Sequence, residues 1–205
     1  QIENEFYGTI RPKRVIHPGE RPLHALRERG VEYVEVRLMD LNPFEVVGID
    51  APTMRLIDLL LLHALLSDSP PDSPAEIAAL AENQHLTASR GREPGLQLMR
   101  AGQRVRLVDW AAELLHEMTP LAARMDEVLG GGAYSAALAR AASALAAPET
   151  LPSARVLQAM GEQHGHSFIA FVREQSARAR ELLLALPWNA QDKAQFDALA
   201  TRSVR

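Results

Sequence analysis

The hydropathy period changes near residue 50, and that change constrains the fold of these 205 residues more than any other feature. Before it, the chain alternates with period two. In Ile2-Glu3-Asn4-Glu5-Phe6-Tyr7-Gly8-Thr9-Ile10, the residues Ile2, Phe6 and Ile10 share one face, while Glu3, Glu5, Tyr7 and Thr9 share the other. Pro12 lacks a backbone donor and is expected to end regular pairing. Residues 31–38, Val-Glu-Tyr-Val-Glu-Val-Arg-Leu, read as a second strand. Val34, Val36 and Leu38 form its apolar face; Tyr33, Glu35 and Arg37 point the opposite way. The connection holds Pro18-Gly19 and Pro22, with a short helix near Leu23–Arg29.

After residue 50 the signals are helical. Asp50 is an N-cap with Pro52 in the first turn. The run Met54–Leu66 is apolar nearly all round and reads as a buried helix. Ser73-Pro74-Ala75-Glu76 is a capping box, opening a helix to about Gln84. Gly91–Gly95 is a turn. A helical stretch from about Leu107 to Val128 must kink or split at Pro120, with Thr119 as the new cap, and Gly130-Gly131-Gly132 stops it. Ala133–Ala146 is Ala-rich and helical. Thr150 and Pro152 open a further helix to about Gly161, and Phe168–Leu186 forms the last one. The polar stretch after Trp188 is expected to fray.

The expected fold class is therefore α+β: a partial sheet over residues 1–50, then a helical region over residues 51–205. Two strands alone bury too little to stand by themselves. They call for partners outside this chain, which begins at Gln1 within the alternating run. The expectation is the C-terminal part of something larger, with an N-terminal remainder missing. There are no cysteines, which removes disulfides, thiolate metal sites and a cysteine nucleophile. It also fits a reducing, cytoplasmic setting. With 22 Lys and Arg against 26 Asp and Glu, the net charge of −4 draws the chain neither to nucleic acid nor to anionic membrane. Leu56–Leu66, broken by Asp58 and His63, is too short to span a bilayer.

The chemistry-bearing residues lie in the first fifty. Glu35 and Arg37, two apart on a strand, share a face and stand roughly 6–7 Å apart along it. Carboxylates on a sheet suit Mg²⁺, which takes oxygen ligands and bridges to nucleotide phosphates. An adjacent guanidinium neutralises charge developing on a phosphoryl group in transfer. Arg11, Lys13 and Arg14 follow the first strand, within reach of phosphate oxygens. On spacing alone, ordinary cross-strand ion pairs on a solvated face explain the same residues.

The longer string Glu35-Val36-Arg37-Leu38-Met39-Asp40-Leu41-Asn42-Pro43-Phe44 resembles the Glu-x-Arg…Asp…Asn-Pro-aromatic segment of the glutamine synthetase superfamily. Residues 1–14, ending Ile10-Arg11-Pro12-Lys13-Arg14, resemble a strand of the proteobacterial-type glutamate–cysteine ligases. So does Gly30–Arg37 with its continuation to Phe44, and Gly91-Arg92-Glu93-Pro94-Gly95-Leu96 is similar to a later turn of that family. The resemblance implies a glutamine-synthetase-like antiparallel catalytic sheet. It also implies ATP-dependent joining of the L-glutamate γ-carboxyl to the L-cysteine amine through a γ-glutamyl phosphate, the first step of glutathione biosynthesis. Mg²⁺ is the implied metal and ATP the co-substrate. Carried over residue by residue, Glu35 matches a metal ligand and Arg37 an arginine beside the transferring phosphoryl group. Tyr7 matches a tyrosine lining the cysteine pocket. Arg11 matches an arginine whose phosphate contact is inferred from its charge and position. The family's other metal carboxylates lie N-terminal to the matched segments, so the 205 residues alone are expected to be inactive. The rival readings are another glutamate carboxylate–amine ligase and a non-catalytic helical interaction module.

Other signals are discounted. His164 and His166 read as a solvated loop, and His63 as a satisfied core or interface histidine. Asp126 and Glu127 read as solvated. Trp110 and Trp188 read as packing residues, and Arg173, Arg178 and Arg180 as a solvated helix face.

Overall fold

The computed structural model describes residues 8–37 and 39–203. It divides into two compact units, Gln1–Leu41 and Asn42–Arg205.

The first unit is a hairpin closed by a helix. Strand β1 (Ile10–Lys13) pairs antiparallel with β2 (Tyr33–Val36), and α1 (Pro22–Arg29) forms most of the connection. The register sets Ile10 against Val36, Arg11 against Glu35, Pro12 against Val34 and Lys13 against Tyr33. The expectation that Pro12 ends the pairing is overturned, and the ladder explains why. The Arg37 N–H donates to the Thr9 carbonyl at 2.9 Å. Antiparallel pairs alternate between bonded and non-bonded, so Thr9, Arg11 and Lys13 take the bonded positions. Pro12 falls where an N–H would face away from β2, and its missing donor costs the hairpin nothing. Of the strand expected over residues 2–10, residues 1–7 lie outside the described ones, as does Leu38.

In α1, Ala25 is fully buried. The helix is tied down by Arg29, whose Nη1 and Nη2 donate to the two Glu20 carboxylate oxygens at 2.7 and 2.8 Å. Glu20 also accepts from the His17 N–H at 2.9 Å. These donors, the Arg29 fork first, lower the Glu20 carboxyl from its ordinary 4.5 to about 2.

The second unit is helical, with one further hairpin. Its elements are α2 (Ala51–Leu66), α3 (Pro74–Arg90), β3 (Gln97–Arg100), β4 (Gln103–Arg106), α4 (Leu107–Glu117), α5 (Thr119–Leu129) and α6 (Ala133–Ala146). A short 3₁₀ turn (Pro148–Thr150) leads to α7 (Pro152–Gln163), α8 (Phe168–Ala185) and α9 (Ala190–Ser203). The caps behave as the residue types demand. Asp50 Oδ1 accepts from the Thr53 N–H at 2.9 Å, and Ser73 Oγ from the Glu76 N–H at 3.2 Å. The core is where α2, α5 and α6 meet, joined by the last turn of α4. Leu59, Met118, Ala122 and Leu138 are buried there, flanked by Leu56, Leu115, Leu121, Met125 and Tyr134. Full burial of a leucine of this kind is worth about 1.5–3 kcal/mol.

Several expectations are corrected here. The β3–β4 hairpin was not foreseen, and α3 runs to Arg90 rather than Gln84. The polar C-terminal stretch is helix α9. Thr119 lies inside α5, its hydroxyl donating back to the Leu115 carbonyl at 3.4 Å, while Met118 stands at the cap. Only Leu59 is fully buried in α2; Met54, Leu65 and Leu66 are exposed. Asp126 is not merely solvated: it accepts from the Tyr134 and Ser135 N–H groups at 2.8 and 2.9 Å, closing the glycine turn over the start of α6. His164 is not a solvated loop residue either. Its side chain is 5% exposed and stands edge-on to the ring of the fully buried Phe171, with centroids 5.6 Å apart. His63 is satisfied, as expected, by Glu117 at 2.8 Å.

Candidate functional site

Strand pleating puts Arg11 and Lys13 of β1 on the same face as Tyr33, Glu35 and the adjoining Arg37. Ile10, Val34 and Val36 turn to the other face. Spacing predicts the neighbourhood of Glu35 and Arg37; register adds the cations opposite.

Glu35 is the centre of the cluster, and its two oxygens have different surroundings. Oε1 accepts from Arg37 Nε at 2.9 Å and lies 2.7 Å from Arg37 Nη2. Oε2 is screened from solvent and receives no hydrogen bond of good geometry. The charge beside it is the Lys13 ammonium, at 3.3 Å. Arg11 lies directly across the ladder from Glu35, and its Nε donates to the Gly8 carbonyl at 3.4 Å. The Arg37 hydrogen bond lowers the Glu35 carboxyl below its ordinary range; partial burial opposes this and Lys13 reinforces it. The carboxylate is therefore ionised at neutral pH, and among the described residues three cations, Arg11, Lys13 and Arg37, share its face.

Such a face can do two things. The positive charges of Arg11, Lys13 and Arg37 suit a polyphosphate or a carboxylate substrate. The Glu35 carboxylate, with an oxygen shut off from water and without a hydrogen-bond donor among the described residues, suits a cation. Among the described residues no three His, Asp or Glu side chains converge. Glu35 thus fits as a single ligand of a metal held otherwise by phosphate or by other residues, a common arrangement for Mg²⁺.

Of the residues expected to form a site, Glu35, Arg37 and Arg11 are brought onto one face. Tyr7 lies outside the described residues. Lys13 was counted among the phosphate-reaching residues, but its pairing with Glu35 was not foreseen. The signal for it was present: extending the period-two pattern through Pro12 sets Lys13 diagonally across from Glu35. No helix among the described residues is long and apolar enough to cross a membrane.

A family model described as glutamate–cysteine ligase matches residues 1–87. Over 204 residues the chain is 47% identical to a glutamate–cysteine ligase of Pseudomonas paraeruginosa and 46% identical to one of Azotobacter vinelandii. Each match covers 100% of this chain and 38% of the relative. A crystal structure of a glutamate–cysteine ligase from Francisella tularensis, in complex with AMP, superposes with a TM-score of 0.87 at 32% identity, covering 99% of this chain and 40% of that one. The chain thus spans well under half the length of the relatives it matches.

Proposed function

We propose, from its similarity to glutamate–cysteine ligases along its whole length, that this chain forms part of a cytoplasmic enzyme of that family, which joins the L-glutamate γ-carboxyl to the L-cysteine amine at the expense of ATP. The observation that carries this reading is the Arg11, Lys13, Glu35 and Arg37 cluster on one face of the hairpin. It sits in a chain that matches the ligases along its whole length.

The chemistry requires such a cluster. A carboxylate does not react with an amine at neutral pH until its oxygen is made a leaving group. Transfer of the ATP γ-phosphoryl to the glutamate γ-carboxylate gives γ-glutamyl phosphate. The cysteine amine then attacks the acyl carbon, and phosphate departs. Both steps gather negative charge, and preorganised cations lower both barriers. Arg37, held by Glu35, presents its remaining donors to the phosphoryl oxygens. Arg11 contacts phosphate from across the ladder. Glu35 would hold Mg²⁺, which when bound withdraws charge from the phosphate oxygens. The resemblance gives Tyr7 the role of contacting the cysteine substrate. The remaining ligands and substrate contacts belong to the portion of the ligase that this chain does not span.

The test is ADP release by a full-length ligase carrying these residues, with glutamate present and cysteine added or withheld, beside Glu35→Gln. Turnover that needs both amino acids and falls about a hundredfold or more in the variant supports the reading. Equal turnover with other amines moves the assignment to a different amine substrate. A variant as active as wild type removes Glu35 from the site. The 205-residue chain by itself is expected to release no ADP.

A further inference from the structure

We propose that Lys13 is a stand-in cation: its ammonium occupies the position beside Glu35 Oε2 that a divalent metal takes when nucleotide binds, and it yields that position on binding. The inference rests on the reading of Glu35 as a metal ligand.

The asymmetry of the carboxylate carries the argument. Oε1 is taken by two nitrogens of one rigid guanidinium. Oε2 is withdrawn from water, and its ion-pair partner among the described residues is Lys13, at 3.3 Å without a well-formed hydrogen bond. An ionised oxygen cut off from water demands a cation at all times, not only when metal is present. Lys13 meets the demand in a form that can be withdrawn. It is a point charge on a flexible four-carbon stem, about one third exposed. Glu35 is its ion-pair partner among the described residues. Arg37, with two contacts to Oε1, cannot leave as readily. The two cations thus divide the work: Arg37 orients the carboxylate and Lys13 keeps the metal position filled.

Binding then becomes an exchange. A metal ion alone must displace an ammonium and tolerate it nearby, so it binds weakly. The displaced ammonium stays on the face of Arg11 and Arg37, where nucleotide phosphates compensate it. Metal and nucleotide therefore reinforce each other, and Lys13 is the source of the coupling. Lys13 is on this account a positioning residue that acts through Glu35.

The experiment uses a full-length ligase carrying this chain. Mn²⁺ is titrated with and without ADP and followed by electron paramagnetic resonance. Lys13→Met is expected to bind Mn²⁺ about five- to tenfold tighter than wild type without nucleotide, and to gain less from ADP. Lys13→Arg, which keeps the charge, is expected to retain the weak wild-type affinity. A merely structural lysine would leave Mn²⁺ affinity unchanged or weaker in Lys13→Met, and that result overturns the inference. So does Lys13→Arg behaving like Lys13→Met. Glu35→Gln separates the two levels. If it binds Mn²⁺ as wild type does, the metal-ligand reading falls and the exchange falls with it. If it loses Mn²⁺ while Lys13→Met is unchanged, only the exchange falls.

Discussion

Asn83 and Met99 exchange two hydrogen bonds: Asn83 Nδ2 donates to the Met99 carbonyl at 2.7 Å, and Oδ1 accepts from the Met99 N–H at 2.8 Å. A side-chain amide on α3 thus does for one residue what a neighbouring strand would do. In the β3–β4 ladder Met99 stands opposite Arg104, next to the pair that flanks the two-residue turn. Its backbone groups point away from β4, and Asn83 supplies what they lack. Asn83→Leu leaves an N–H and a carbonyl unpaired in a buried setting and is expected to destabilise the chain by about 1–3 kcal/mol. Asn83→Asp keeps the acceptor but loses the donor, and sets a carboxylate against a carbonyl. Urea melts should show both variants shifted, with local loss of amide protection at Met99.

Leu59 is the most enclosed side chain of the helical core, in the cluster with Met118, Ala122 and Leu138. Leu59→Ala is expected to cost about 2–5 kcal/mol, from lost transfer free energy and the cavity left behind. Leu65→Ala, at an exposed position on the same helix, is expected to stay within about 0.5 kcal/mol of wild type in this chain. Denaturant midpoints of the two variants, taken side by side, check the placement of the core.

Glu20 gives the first unit an acid dependence. Its carboxyl is lowered to about 2 by the Arg29 fork and the His17 N–H. A lowered acid stabilises the fold in full above its ordinary pKa of 4.5. That contribution declines as pH falls and is gone below about 2. Carboxyl-carbon NMR should show Glu20 titrating below the other glutamates. Glu20→Gln should remove this part of the acid sensitivity and weaken the tether of α1.

Arg37→Lys keeps the charge and removes the fork that holds Glu35 Oε1 through two nitrogens. In a full-length ligase its kcat is expected to fall by about two to three decades, with a much smaller change in the glutamate KM. Steady-state ADP release checks this. An unchanged kcat would reduce Arg37 to a surface partner of Glu35.

What the sequence made legible follows from how local each interaction is. Asp50 and Ser73 announce their helices because a cap needs only residues three positions on. Glu35 and Arg37 announce each other because a strand returns to the same face every second residue. Lys13 was harder to connect to Glu35, because its position depends on a register set across the long connection between Lys13 and Tyr33. The β3–β4 hairpin was hidden by its turn. Ala101 and Gly102 both adopt positive φ, 48° and 78°, and alanine gives no sign of doing so. Nothing near Asn83 foretells that its amide closes the edge of that hairpin. His164 reads as polar and loop-bound until the packing of α7 and α8 sets Phe171 beside it. The C-terminal helix α9 was misread because it is polar nearly all round; Asn189, whose Oδ1 accepts from the Gln191 N–H at 2.9 Å, was the local clue to its start.

Pro12 also gives the first hairpin a direction of growth. Its ring occupies the one position between Arg11 and Lys13 where β1 would offer an outward donor. A third strand laid along that stretch would find a carbonyl to bond but no matching N–H. The side of β2 turned away from β1 has no such gap: Val34 and Val36 each carry both groups outward. Over these residues the sheet can be extended with a full set of hydrogen bonds only through β2, so assembly from this end is one-sided.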